Sequence, residues 1–222
     1  MKKNICFITL LILALHIFSP NIALGQTSQH GIFDDQKLLD GYAKKYTDEP
    51  KDVLLAMISD ETISQYQVAA AVRVFRENFA QIIFSREKKL AIRTLIRRLS
   101  RTNSIFIRIE IMCTLCEMDR YKYFKSMMPN LIRDLDHYNR TANALAFKYI
   151  NQIIESGQNR PREARIIFTT LRKLLFLSRK KIRNINKPDE RLKQKIELLR
   201  WSMKILGKQE LKRLPPESLH LF

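Results

Sequence analysis

The stretch that decides the fold is DVLLAMISDETISQYQVAAAVRVF, residues 52–75. Over residues 52–59 the apolar side chains follow helical spacing and fall on one face, which carries Val53, Leu54, Met57 and Ile58. The same spacing continues over residues 64–79, with Val68, Ala69, Val72 and Phe75 on the apolar face. The polar loop Asp60-Glu61-Thr62 separates the two helices, so this stretch predicts a helical hairpin.

The rest of the chain repeats the hairpin, with amphipathic helices predicted over residues 88–100, 104–116, 123–135, 141–154, from 161 through 175, and over 190–206. Equivalent apolar positions in the first helices are separated by 41, 36 and 40 residues: Ile58, Leu99, Leu135 and Leu175. In the second helices the separations are 41 and 35 residues, between Val68, Ile109 and Ala144. A period near 40 residues is typical of stacked helical hairpins, and 5 Gly and 7 Pro are too few for a turn-rich β protein.

Residues 50–75 resemble the HEAT-repeat family. The resemblance is carried by Leu54-Leu55, Ile58 and Asp60 and by the run Val68-Ala69-Ala70-Ala71, and it extends over residues 50–182. It implies an all-α fold of stacked antiparallel helical hairpins, a HEAT-like α-solenoid that binds other macromolecules on its concave face. One hairpin cannot bury both faces of its helices, so its neighbours stack on it and the inner helices stay available to a partner. An ordinary helical bundle is the alternative.

The N-terminus has the order of a signal peptide. Lys2 and Lys3 precede an apolar run over residues 5–18, and the small residues Ala23 and Gly25 stand before Gln26. We therefore expect cleavage after Gly25 and export to the periplasm or the extracellular space. The apolar run is shorter than the roughly 20 residues that a membrane-spanning helix needs, and an uncleaved N-terminal anchor stays the alternative.

Charge divides the rest of the chain. The formal net charge is +18, yet residues 26–61 contain eight Asp and Glu against four Lys. We predict a signal peptide at residues 1–25, an acidic leader at 26–49, a helical-repeat domain at 50–207 and a tail at 208–222. The acidic leader is interpreted as a solvated cap or as a shield for the basic domain. The tail is expected either to fold into a groove or to dock on a partner.

Two clusters of basic residues are candidate binding sites for an anionic partner. The first follows helical spacing and forms one stripe: Arg86, Lys89, Arg93, Arg97 and Arg101. Like charges four residues apart destabilise a helix by about 0.2–0.5 kcal/mol per pair, so the stripe favours an anionic counterpart, although a solvated face is the alternative. The second cluster lies at the end of one predicted helix and in the following linker, and it contains Arg172, Lys173, Arg179, Lys180, Lys181, Arg183 and Lys187. Of these, Arg179, Lys180, Lys181 and Arg183 are the candidate site residues. The helix dipole explains part of this second cluster.

The predicted signal peptide determines which anions these clusters are expected to bind. For an exported protein the candidates are lipid surfaces, anionic envelope polymers and acidic faces of proteins. Nucleic acid is the alternative partner, favoured by a sequence pI near 10.0 but disfavoured by the signal peptide. The expected function is therefore that of a binding or scaffold protein.

No catalytic triad, Gly-rich phosphate loop or metal motif is found in the sequence, so neither an enzyme nor a cofactor is predicted. A less favoured alternative is a HEAT-like DNA glycosylase, which would use Asp134 or Asp136 as its carboxylate and has only Trp201 as a tryptophan. Tyr121, Tyr123 and Phe124 alternate with basic residues and could stack on bases, but the alternative that they anchor the start of a helix in the core is more common. Cys113 and Cys116 lie within a predicted apolar helix. They are interpreted as two buried residues on one helical face, with a local disulfide as the alternative.

Overall fold

The computed structural model describes residues 32–157, 160–185 and 187–222, with the side chains of Ile32 and Phe33 left out. The predicted signal peptide, residues 1–25, lies outside the described residues. The described residues contain no strand, and they form nine α-helices, which we number α1 (Ile32–Lys45), α2 (Lys51–Ser59), α3 (Gln65–Phe79), α4 (Ser85–Arg101), α5 (Ile105–Met118), α6 (Arg120–Asp134), α7 (Arg140–Glu155), α8 (Arg160–Ile182) and α9 (Glu190–Leu206). Two 3-10 helices follow, Lys208–Arg213 and Pro216–Leu221. The all-α prediction is confirmed.

Local sequence signals mark several helix ends. Ser64 caps α3 through a capping box, in which its side chain accepts from the backbone of Gln67 while the Gln67 side chain accepts from the Ser64 backbone. Asp189 caps α9 by accepting from the backbone N–H of Leu192. Gly207 ends α9 with a φ of 104°, a conformation that side-chain-bearing residues rarely adopt. Asp189 and Gly207 explain why α9 covers the predicted range 190–206.

Successive helices form stacked pairs. α2 packs on α3, α4 on α5, α6 on α7 and α8 on α9, and short connections make the partners in each pair antiparallel. The pairs also stack on one another, because α3 packs on α5, α5 on α7, α2 on α4, and α6 on both α5 and α8. The predicted arrangement of stacked antiparallel hairpins is therefore present.

The inner helices are covered, which differs from the expectation that they stay available to a partner. α5 is buried around its whole circumference, and in α3 every residue from Val68 to Arg76 is buried. The cover over α3 comes from α1, which packs on both α3 and α7. A binding site is therefore expected on an outer surface and not on a concave inner one.

The acidic segment takes part in the core. Leu39 and Tyr46 are buried, and Asp35 accepts hydrogen bonds from the Tyr66 hydroxyl and from Asn139 Nδ2. Asp40 forms an ion pair with Arg73 at 2.7 Å. The carboxylates at these two positions therefore dock α1 on the basic domain, and α1 belongs to the same folded unit as the other helices.

The tail folds back on the domain. Pro216–Leu221 packs on α8, and Leu214 and Ser218 are buried. The Arg165 guanidinium on α8 donates to the Glu210 carboxylate at 2.6 Å. Of the two alternatives for the tail, the structure shows packing on the chain's own helices. In the described part of the chain, no helix has the combined length and apolar character needed to cross a bilayer.

Candidate functional site

α4 places the first predicted cluster on one face of a single helix. We call Arg86, Lys89, Arg93, Arg97 and Arg101 the α4 basic stripe, and all five side chains are exposed. Ala91 and Leu95 on the other side of α4 are fully buried, where the helix packs on α2 and α5. The apolar face therefore anchors α4 and leaves the stripe in solvent.

Most of the positive charge in the stripe is unbalanced. Arg101 pairs with Glu61 at 3.1 Å, and both side chains are more than half exposed. Glu87, the acid within this helix, pairs instead with Lys51 at 2.6 Å. Within the described residues the other four stripe side chains form no ion pair. An exposed pair contributes at most about 1 kcal/mol, so Arg101 can exchange Glu61 for an external anion.

The surface around the stripe is shallow. One depression of about 530 Å³ is lined by Arg86, Glu87, Lys89, Leu90 and Arg93. A smaller one of about 90 Å³ lies near the other end of α4, beside Arg97 and Arg101. Sites for small molecules are deeper clefts that enclose most of the ligand. This shape therefore suits an extended anionic surface or chain better than a small metabolite.

The second predicted cluster lies on a different helix pair. Arg179, Lys180 and Lys181 occupy the last turn of α8 and Arg183 follows it, and all four are exposed. No ion pair involves them in the part of the chain that the structure describes. α8 packs mainly on α6 and α9, whereas α4 packs mainly on α2 and α5, so the two clusters belong to separate helix pairs. The favourable interaction with the C-terminal end of the α8 dipole gives these four residues a structural role as well.

The tertiary structure adds cations that the sequence prediction missed. Lys181 lines a groove of about 610 Å³ together with Arg191 and Lys195 of α9. The Arg191 guanidinium donates to the carbonyl oxygen of Asp136 at 3.3 Å, and Lys195 pairs with the Asp136 carboxylate. These two cations hold the turn between α6 and α7 against α9. No local pattern signals the contact, because its partners are more than 50 residues apart.

A buried ionic cluster joins the inner helices. The fully buried carboxylate of Glu110 on α5 accepts from Arg73 Nε at 2.8 Å, from Arg76 Nη1 at 3.0 Å and from the Tyr149 hydroxyl at 2.7 Å. Burial disfavours the charged form of Arg76, but the nearby carboxylate outweighs this effect, and the pKa of Arg76 lies well above its usual value. Burial also raises the pKa of Tyr149, so its hydroxyl stays a donor to Glu110. The cluster is occupied by its own partners, which indicates a structural role.

The pocket beside α6 contains an ion pair of the protein itself. It measures about 410 Å³ and is lined by Cys116, Arg120, Tyr121 and Glu163, among others. Arg120 binds the buried Glu163 carboxylate with two hydrogen bonds, at 2.5 and 2.7 Å, and donates to the Ser156 hydroxyl at 3.3 Å. The Arg120–Glu163 pair is internally satisfied and is therefore not available to a ligand. Arg162 also lines the pocket, where its guanidinium lies over the Tyr121 ring.

The two cysteines of α5 are buried and unreactive. Cys113 and Cys116 are free and fully buried in α5. The interpretation as two buried residues is therefore confirmed, and the two residues do not form a disulfide. Burial raises the pKa of both thiols, for Cys116 to about 12, which keeps them protonated and unreactive at neutral pH. Within the described residues, no group of three or more His, Cys, Asp or Glu side chains is arranged to hold a metal ion.

The residues that a glycosylase would use do not form an open site. Tyr123 and Phe124 are buried, and Arg162 lies 4.5 Å from the ring centre of the exposed Tyr121. Burial raises the pKa of Asp134 to about 6, and its carboxylate lies 3.6 Å from Arg108. Asp136 is paired with Lys195. Two of the three aromatic residues are therefore unable to stack on a base.

Comparison with known proteins gives no match to any family model, curated protein or solved structure. The geometry and charge of the α4 basic stripe are therefore the features of this protein that indicate a function.

Proposed function

We propose that the protein is an exported binding or scaffold module of HEAT-like α-solenoid architecture, and that it engages an anionic partner through the α4 basic stripe. The partner is an anionic component of the cell envelope or an acidic face of another protein. One observation carries the proposal: four of the five stripe cations are exposed and have no ion pair within the described residues. Such a row of unbalanced charges is mildly unfavourable in the free protein and becomes favourable when an anion covers it.

The architecture supports this proposal, because a binding function needs a stable surface and no catalytic residues. The stacked pairs build a rigid support for α4, and the core beneath it is continuous through α2 and α5. The near-40-residue period and the residues in 50–75 that resemble a HEAT repeat favour a repeat protein that presents surfaces to partners.

A nucleic-acid-binding protein is the second candidate. The same stripe would neutralise phosphates, and the net charge of +18 would strengthen binding at low salt. The two candidates differ in location, since a cleaved leader would place the protein away from the genome.

Reversing two charges in the stripe tests the proposed site. In the variant R93E/R97E we expect the affinity for vesicles containing phosphatidylglycerol, or for polyglutamate, to fall about 30-fold or more at about 150 mM NaCl. The reason is that each basic residue near an anionic surface contributes about 1 kcal/mol, and reversal adds repulsion. Sedimentation with vesicles and fluorescence anisotropy with labelled polyglutamate and duplex DNA measure the three affinities.

The matched control is K125E/K148E, which removes the same charge from exposed positions on α6 and α7. We expect its affinities to stay within about twofold of the wild type, because screening limits long-range effects to about 8 Å at this salt. Equal losses in both variants would mean that net charge alone drives binding. Undiminished binding by folded R93E/R97E would remove the stripe from the proposal.

Export is tested by the intact mass of the protein recovered from separate cell fractions. We expect a soluble exported species that begins at Gln26, because Ala23 and Gly25 present small side chains to the peptidase. A full-length species in the membrane fraction would show an anchor instead. A full-length species in the cytosol would contradict export and favour nucleic acid as the partner.

A further inference from the structure

Large apolar side chains are exposed directly beside the α4 basic stripe. Ile82 is 73% exposed, Phe84 79% and Leu90 60%. Isolated exposed apolar residues are ordinary on protein surfaces, but a group of them at a charged face marks an interaction surface.

The turn before α4 is held firmly while two of its side chains project outward. The backbone N–H groups of Ile82 and Ile83 donate to the Phe79 carbonyl at 3.1 and 3.0 Å. Ile83 and Phe79 pack against the core, so they fix the turn from below. Ile82 and Phe84 in the same turn point away from that packing, as their exposure shows.

Phe84 also occupies a position where a polar residue would stabilise the helix. It is the N-cap of α4 and makes no side-chain capping bond. Ser, Thr, Asp or Asn at an N-cap stabilises a helix by about 1 kcal/mol. The exposed ring therefore serves neither the core nor the helix end, which points to a role outside the folded chain.

Leu90 lies within the stripe and not beside it. It follows Arg86 by four residues and precedes Arg93 by three, and residues at these separations are neighbours on a helix surface. All three residues line the same shallow depression. Ile82 and Phe84 line a second depression of about 340 Å³, which also contains Lys51, Asp52 and Glu87. Glu87 lines both depressions, so the exposed apolar side chains adjoin the unbalanced cations.

We propose that this surface docks on an anionic lipid bilayer. Ile82, Phe84 and Leu90 enter the interfacial region, while the α4 basic stripe contacts the lipid phosphates. This inference rests on the proposed function of the stripe and names its partner. A surface that binds membranes peripherally combines Lys and Arg with Phe and Leu in this way, because the cations attract anionic lipids and the apolar groups are buried among acyl chains.

The apolar residues distinguish a bilayer from an acidic polymer and from nucleic acid. An acidic polymer offers no apolar region to bury them, so it would leave Ile82 and Leu90 in water. Single-stranded nucleic acid could stack a base on Phe84, but the aliphatic side chains of Ile82 and Leu90 offer no such platform. Of these three anionic partners, a lipid surface is the one that uses both kinds of side chain.

A tryptophan placed at the turn reports insertion directly. In a W201F background, F84W is expected to show a blue-shifted emission with phosphatidylglycerol vesicles and quenching by brominated lipid. The control W201F/Y121W places the reporter at an aromatic position of similar exposure outside α4, 77% against 79%. Its emission is expected to stay unchanged, because Tyr121 lies on α6, outside the proposed docking surface.

The variant I82S/F84S/L90S separates insertion from charge attraction. We expect it to bind phosphatidylglycerol vesicles at least tenfold more weakly than the wild type at about 150 mM NaCl, since it loses most of the apolar contact. Its duplex DNA affinity is expected to stay unchanged. Its melting temperature is expected to stay the same or rise, because these side chains lie outside the core and F84S adds a capping side chain at the N-cap of α4.

The outcomes distinguish this inference from the proposed function. Vesicle binding that depends on Arg93 and Arg97 but shows no F84W shift and no loss in the triple variant would overturn bilayer insertion and leave the proposed function standing. Stronger binding to single-stranded DNA that is lost on F84S would assign the ring to base stacking instead. Binding to none of the anions, or binding that R93E/R97E leaves intact, would overturn the proposed function itself.

Discussion

Replacement of Glu110 with alanine is expected to lower the free energy of unfolding by about 3–5 kcal/mol. The Glu110 carboxylate is fully buried and accepts hydrogen bonds from Arg73, Arg76 and Tyr149. Its removal would leave two nearly buried guanidinium groups without the carboxylate that they share. Their remaining partners, Asp40 for Arg73 and Glu77 and Glu117 for Arg76, are partly exposed, and a buried charge that is only partly compensated is expensive. Urea unfolding followed by circular dichroism measures the difference.

Glu77 provides a matched control, because it also pairs with Arg76, at 3.2 Å, but its side chain is 56% exposed. We expect E77A to change the free energy of unfolding by less than about 1 kcal/mol, as for other exposed ion pairs. If E110A cannot be purified while E77A folds, the expectation holds, and E110Q then gives a measurable intermediate loss. Similar stabilities for E110A and E77A would show that the buried cluster does not hold the helices together.

Replacement of Leu39 with alanine is expected to lower the free energy of unfolding by about 2–5 kcal/mol, the usual loss for a large-to-small change in a core. Leu39 lies in α1 within the acidic segment, yet it is fully buried. α1 packs on α3 and α7, so a cavity at Leu39 would loosen the cover over the inner helices. Thermal and urea unfolding measure the effect on the whole domain.

The neighbouring Leu38 is the control, because it has the same chemistry in the same helix but is 38% exposed. L38A is expected to change stability by less than about 1 kcal/mol, as is common for surface positions. A negligible effect of L39A would show that the acidic segment is the solvated leader that its composition suggests. A loss confined to L39A would show that residues 32–45 stabilise the folded unit.

The α4 basic stripe could be predicted because its information is local. Five cations spaced three and four residues apart share a face whenever the segment is helical, and the apolar residues Ala91 and Leu95 select the opposite face for burial. Leu90 shares this face for the same local reason, but the exposure of the turn before α4 could not be predicted in the same way. Ile82 and Phe84 are apolar enough for a core, and only the packing of neighbouring helices leaves them exposed.

The charge composition of a segment predicted its exposure less well than apolar periodicity predicted the helices. Composition marks residues 26–49 as an acidic segment, but Asp35 and Asp40 bind Tyr66, Asn139 and Arg73 inside the folded unit. These partners lie between 31 and 104 residues away in sequence. A count of charges by segment contains no information about such contacts.

By itself, the sequence determined helices α2 to α9, several of their ends and the pairing of neighbours, but not α1, whose residues it predicted as part of an acidic leader. Side-chain periodicity and the caps at Ser64, Asp189 and Gly207 act within a few residues, and short connections make consecutive helices pack together. Only the tertiary structure decided that α1 covers α3, that Glu110 joins Arg73 and Arg76, and that Ile82 and Phe84 in the turn before α4 stay exposed. Each of these features depends on how helices distant in sequence pack in three dimensions, and local patterns do not specify that packing.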